Sequence, residues 1–172
     1  MAPTQTSPRV LIVYYSRTGD TESMASCLAR ASGADLEPLV ATSNGQGLFA
    51  YLSSHFGQVL GQEARIQPPK HSPKDYDIVL LGTPICGATL SSPVRTYLSQ
   101  CAGILPEVAF FVTGDDRGAE RAIEEMQSIS GKNPLATLAL RECDLKRRAA
   151  VYFGEFWERV LSAWELRTRT SA

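Results

Sequence analysis

No stretch of this sequence is apolar for long enough to cross a bilayer, and no basic run is long enough to make a nucleic-acid face. Lysine and arginine number 17 against 18 acidic residues, a formal net charge of -1. That balance gives no reason to expect a nucleic-acid partner. The only basic run is Lys146-Arg147-Arg148, which reads as the solvated start of a helix. Residues 1–8 are polar and have neither a basic region nor an apolar core of a signal peptide, so they read as a frayed tail. With no membrane span and no export signal, the cytoplasm is the expected location. The four cysteines, Cys27, Cys86, Cys101 and Cys143, include no C-x-x-C pair, and the only two histidines, His55 and His71, lie far from any such cluster. Free thiols and no metal site are the expectation.

What remains is an ordinary globular composition, 44% hydrophobic and 20% charged over 172 residues. It suits one domain over residues 9–172, with no linker or internal repeat. Residues 9–15 form a continuous β-branched and aromatic run, as in a strand buried on both faces. A helix is expected from about Thr18–Asp20, carrying Met24, Ala25, Leu28 and Ala29 on one stripe and ending at Ser32-Gly33-Ala34. Residues 35–41 read as a weaker strand, residues 48–60 as a helix, and the proline-rich segment 67–73 as a loop. Residues 76–82 form the clearest strand after the first. Pro93 opens a helix with Val94, Tyr97, Leu98 and Cys101 on one face. Residues 108–112 and 135–140 read as strands, and Ala119, Ala122, Ile123, Met126 and Ile129 as a helical stripe between them. Phe153, Phe156, Trp157, Val160, Leu161 and Trp164 mark a last helix. Strands alternating with helices imply an α/β domain, with a parallel sheet, right-handed crossovers and a binding edge at the strands' C-terminal ends.

Three loops should open on that edge: Ser16-Arg17-Thr18-Gly19-Asp20-Thr21 after the first strand, Thr83-Pro84-Ile85-Cys86-Gly87-Ala88-Thr89 after the third, and Thr113-Gly114-Asp115-Asp116-Arg117-Gly118 after the fourth. In the first, hydroxyls and a glycine stand where the chain turns into a helix. Free backbone N–H groups and the positive end of the helix dipole suit a phosphate there. On spacing alone, simple N-capping by Ser16 or Thr18 is an equal alternative. A nucleoside triphosphatase is excluded, because Gly-x-x-x-x-Gly-Lys-Ser/Thr is absent.

Three other signals lead nowhere. Gly45-Gln46-Gly47-Leu48-Phe49-Ala50 matches a dinucleotide fingerprint formally, but no acid ends a strand about 20 residues on, and a flexible turn is the better reading. A phosphoacceptor receiver needs acids where this chain has Tyr15-Ser16 and Gly82-Thr83. A Ser/His/Asp hydrolase needs a histidine at a strand's C-terminal end, and neither His55 nor His71 falls there.

Val13-Tyr14-Tyr15-Ser16-Arg17-Thr18-Gly19-Asp20-Thr21 resembles the FMN-phosphate signature of flavodoxins, hydroxyl-x-Thr-Gly-x-Thr after the first strand. Tyr76-Asp77-Ile78-Val79-Leu80-Leu81-Gly82-Thr83-Pro84 resembles their third strand and the start of the isoalloxazine loop. Ser91-Ser92-Pro93-Val94-Arg95-Thr96-Tyr97-Leu98 continues the match, and Ala109-Phe110-Phe111-Val112-Thr113 resembles the fourth strand. The resemblance runs from about Val10 to the last helix. It implies a three-layer flavodoxin-like fold with a five-stranded parallel sheet in the order 2-1-3-4-5. It also implies FMN as cofactor, with Ser16, Arg17, Thr18, Gly19, Asp20 and Thr21 on the phosphate. Thr83, Pro84, Ile85, Cys86 and Gly87 would line one flavin edge, and Thr113, Gly114 and Asp115 the other.

Two departures stand out. Flavodoxins usually place an aromatic near Cys86 or in the loop after the fourth strand to stack on the ring, a contact worth on the order of 1 kcal/mol. This chain has Cys86 in one and only Gly, Asp and Arg in the other. Cys86 reads as a small space-filler rather than a reactive thiol. Asp20 stands where relatives commonly have a neutral residue, and its carboxylate either opposes a phosphate dianion or points outward and caps the helix. The resemblance therefore implies an oxidoreductase passing electrons through FMN, with NAD(P)H or a redox protein as the donor and a small acceptor such as a quinone. One ring face stays open unless a neighbouring chain in an oligomer covers it. Asp115 and Asp116, if near the ring, lower the potential of the reduced flavin. The alternatives are an electron carrier docking onto redox proteins, which the near-neutral charge disfavours, and a flavin-free scaffold with a degraded site.

Overall fold

The computed structural model describes residues 7–42, 64–86, 89–114 and 118–170, with the side chains of 142–150 left aside. The expected helix over residues 48–60, the fingerprint at 45–50, His55, Gly87 and Asp115 lie outside the described residues.

Five strands build the main sheet, the central ones buried on both faces and the two outer ones partly exposed. They are β1 (Val10–Tyr14), β2 (Asp35–Pro38), β5 (Ile78–Cys86), β7 (Glu107–Thr113) and β8 (Thr137–Leu140). All pair in parallel in the order β2-β1-β5-β7-β8. The five-stranded order 2-1-3-4-5 is therefore present. Two short antiparallel features accompany it: β3 (Ala41–Thr42) pairs with β4 (Arg65–Ile66), and β6 (Thr89–Leu90) pairs with the end of β5.

Alternation along the strands assigns side chains to two cores. Leu11, Val13, Val79, Leu81, Phe110 and Val112 point to the layer of α2 (Ser92–Cys101) and α3 (Ala119–Ser130), where Val94, Tyr97, Leu98 and Met126 meet them. Ile12, Tyr14, Leu80, Phe111 and Leu140 point to α1 (Asp20–Ser32) and α4 (Glu142–Thr170), where Met24, Leu28, Phe153, Phe156 and Val160 close the other core. The apolar stripe of the last helix is thus core, and Lys146-Arg147-Arg148 lies within that helix.

Differences from the sequence expectation have local causes. β2 ends at Pro38, which pairs with Tyr14, and the following residue, Leu39, still donates its N–H to the Tyr14 carbonyl at 2.7 Å. The buried Glu37 of β2 then organises the proline-rich loop. Glu37 Oε2 accepts the N–H groups of Lys70 and His71, each at 2.9 Å, and lies 2.7 Å from His71 Nδ1. β5 runs on through Cys86 instead of stopping at Gly82, because Thr83 and Pro84 keep partners on β7 in Val112 and Thr113. Gly82 sits beside Phe111 in that register, and a methyl group at Gly82 would fall inside the Phe111 ring.

Gly82→Ala should therefore destabilise the protein by about 1–3 kcal/mol, the usual cost of overpacking a rigid ring. Urea unfolding measures it, and an unchanged midpoint would contradict the contact.

Candidate functional site

In an open parallel sheet, a crevice forms where connections leave neighbouring strands in opposite directions. β1 lies between β2 and β5, so the switch point falls at the C-terminal ends of β1 and β5. The register aligns Tyr14 with Gly82 and Pro84 with Thr113, and Tyr15 N–H donates to the Gly82 carbonyl at 3.1 Å. Three chain segments, starting at Tyr15, Thr83 and Gly114, therefore meet at one edge.

The first segment turns into α1 at Gly19, whose φ of 99° lies in the left-handed region that favours glycine. Because the N-cap residue is a glycine, α1 has no side-chain cap, and its first intrahelical bond runs from Ser23 N–H to the Gly19 carbonyl. The first-turn N–H groups and the dipole's positive end are left facing the loop. The N-capping alternative is resolved here: Ser16 Oγ instead accepts the Gly19 N–H at 3.2 Å within the loop. Thr18 Oγ1 donates to Asp20 Oδ2 at 2.8 Å in an exposed contact, so the Asp20 carboxylate is turned to the loop hydroxyl.

Thr21 is buried, and its Oγ1 lies 2.7 Å from Thr113 Oγ1, tying the first loop to the end of β7. A hydroxyl pair spends one proton on its mutual bond.

Thr83, Pro84, Ile85 and Cys86 form the second wall, as strand rather than loop. Beyond Pro84 this strand pairs with β6, Ile85 facing Leu90 and Cys86 facing Thr89. At the neck, Thr83 Oγ1 donates to Ser91 Oγ at 2.9 Å and accepts the Ser91 N–H at 3.1 Å. Gly114, with φ of 137°, lies against Ile85: a Cβ there would come within 3.2 Å of the Ile85 Cβ. The second and third segments therefore touch.

Burial pushes the Cys86 thiol above its ordinary value, and the Arg17 charge partly offsets this. Cys86 therefore stays a neutral thiol near pH 7. Cys27, Cys86 and Cys101 are free, and no group of potential metal ligands occurs among the described residues. No described helix is long and apolar enough to cross a membrane.

All the described candidate residues, Ser16, Arg17, Thr18, Gly19, Asp20, Thr21, Thr83, Pro84, Ile85, Cys86, Thr113 and Gly114, lie on the segments that meet at this edge. Ser91 was missed as a site residue, although a serine ahead of Ser92-Pro93 signals a helix start. Its side chain makes no cap and serves Thr83 instead. Arg95 and Glu125, which meet Thr89 of the second loop, were missed too, because Glu125 lies 30 or more residues beyond its two partners.

No family model matches the chain. Its fold is similar to that of a flavoprotein from Lactobacillus acidophilus solved in complex with FMN, with a TM-score of 0.61 at 20% identity over 81% of this chain and 97% of that one. A candidate flavoprotein from Bacteroides eggerthii gives a TM-score of 0.67 at 18% identity, covering 90% and 98% of the two chains. A flavodoxin from the Archaea gives 0.52 at 15% identity, covering 88% and 98%. The fold is flavodoxin-like.

Alkylation of Cys86 tests this geometry through its pH dependence. A raised thiol holds less thiolate at pH 8 than an exposed cysteine, so its rate should keep climbing beyond pH 9.0, the ordinary thiol value. Arg17→Gln removes the lowering charge and should push the inflection higher still. An inflection below the ordinary value, or one indifferent to Arg17, would contradict it. Peptide mass mapping after iodoacetamide treatment separates Cys86 from the other thiols.

Proposed function

We propose that this chain binds FMN and passes electrons through it to a small planar acceptor such as a quinone. The observation that supports this best is the uncapped start of α1 at Gly19, ringed by the hydroxyls of Ser16, Thr18 and Thr21. That donor set suits a phosphate monoester: free N–H groups, hydroxyls and a helix dipole, with no lysine for a longer phosphate chain. The similar fold of a protein solved with FMN favours the same ligand.

In this reading Ser16, Thr18, Gly19, Thr21 and the first-turn N–H groups hold the phosphate, while Arg17 offsets its charge. Asp20 opposes it, being bonded to one of the hydroxyls that the phosphate needs. Thr83, Pro84, Ile85 and Cys86 line one edge of the ring, and Thr113 and Gly114 the other. Gly87 and Asp115, the next residues along the chain, belong to the same proposal. FMN, when bound, supplies the redox chemistry, and the protein supplies position, exclusion of water and electrostatics.

The missing aromatic favours an enzyme over a carrier. A carrier shields its flavin and exposes only an edge, whereas Cys86 leaves a ring face open for a substrate to lie against. The net charge of -1 also removes the long-range steering that a carrier uses. A nicotinamide, NADH or NADPH, is the proposed hydride donor.

The test is steady-state turnover of FMN-saturated protein with NADH or NADPH and a series of quinones, preceded by an FMN titration of wild type and Asp20→Asn. The reading expects quinone reduction. It also expects Asp20→Asn to bind FMN about five-fold more tightly, since like charges a few ångströms apart oppose binding by on the order of 1 kcal/mol. No turnover alongside rapid electron exchange with a redox protein would favour the carrier. No FMN binding by either protein would leave a flavin-free scaffold.

A further inference from the structure

We infer that Arg95 and Glu125 are positioning residues that clamp the strand carrying Ile85 and Cys86 as a fixed wall of the flavin site. The inference rests on the FMN reading above. Beyond Pro84, β5 has left the main sheet and pairs only with β6, through Ile85–Leu90 and Cys86–Thr89. So short a two-stranded ribbon has little stability of its own in water. Its neck is closed by the Thr83–Ser91 hydrogen bonds. Its far end needs a separate anchor.

Thr89, the cross-strand partner of Cys86, supplies that anchor point. Its Oγ1 donates to Glu125 Oε2 at 3.0 Å and accepts from an Arg95 guanidinium nitrogen at 3.0 Å. Arg95 and Glu125 close the ring with an ion pair of their own. Three elements, β6, α2 and α3, are thereby locked through one hydroxyl that uses both its proton and a lone pair. The Arg95 and Glu125 side chains are only 26% and 22% exposed, so water competes weakly with these charge-assisted bonds. None of the bonds of this ring reaches the phosphate segment. Its influence should fall on the ring half of the ligand and spare the phosphate half.

The experiment compares the full-length protein with Arg95→Gln, Thr89→Val and the conservative Arg95→Lys. In the flavin-free protein, iodoacetamide alkylation at Cys86 should accelerate about five-fold in Arg95→Gln and Thr89→Val, the effect of losing one charge-assisted bond at a partly exposed site. Alkylation of buried Cys101, read from the same digest, should not change. With flavin present, riboflavin and FMN should lose affinity together, leaving their ratio unchanged. The midpoint potential of bound FMN should move toward that of free FMN, because the shift on binding reflects unequal grip on the oxidised and reduced rings. Arg95→Lys keeps the ion pair but not the fork to Thr89, and should fall between. Unchanged Cys86 reactivity and riboflavin affinity would overturn the inference. So would acceleration of Cys86 and Cys101 in parallel, which marks general loosening. A wild-type protein that binds neither flavin defeats the FMN reading, while the Cys86 rates still decide whether Arg95 and Glu125 clamp the strand.

Discussion

The parallel ladder joining β1, β5 and β7 is the constraint on which everything else depends. It sets Tyr14 beside Gly82 and Pro84 beside Thr113, so the strands release their chains at one edge. The ladder is held from both sides by apolar cores, with Phe110 and Phe111 facing opposite layers. Gly82 is the narrow point: without a side chain it lets the Phe111 ring cross β5 next to the site. A shift of one residue in this ladder would exchange the two core faces and separate the Thr21–Thr113 hydroxyl pair.

At that edge the electrostatics are divided against themselves. The uncapped first turn of α1 and Arg17 favour an anion, while Asp20 places a carboxylate on the Thr18 hydroxyl. Asp20 also sits in the first turn, where the dipole stabilises it without any ligand. One residue therefore strengthens the helix and, in the proposed reading, opposes a phosphate. The loop is internally satisfied at Gly19 and Thr18, and under the proposed function a ligand phosphate would replace the contacts that Ser16 and Asp20 make there.

The apolar runs made the fold legible because a strand buried on both faces has no polar alternative to show. Residues 9–15, 76–82 and 108–112 read correctly as β1, β5 and β7, apart from their ends. The end of β5 was unreadable, since whether Thr83-Pro84-Ile85-Cys86 is loop or strand depends on partners in β7 and β6 rather than on local propensity. The first loop was legible through its glycine and hydroxyl spacing, but the direction of the Asp20 carboxylate was not. Side-chain hydrogen bonds between elements, such as Thr89 with Arg95 and Glu125, leave no periodic trace in a sequence. Glu37 and His71 were equally hidden, because a buried carboxylate is marked by its donors and not by its neighbours in the chain.

The central claim is that the first loop recognises a phosphate and the other two segments recognise a ring. Titration of the protein with FMN and with riboflavin, followed by flavin fluorescence, separates the two halves most directly. The account predicts that riboflavin binds far more weakly than FMN, because it lacks the group that Ser16, Thr18, Thr21 and the start of α1 would hold. Equal affinities for the two flavins would contradict it.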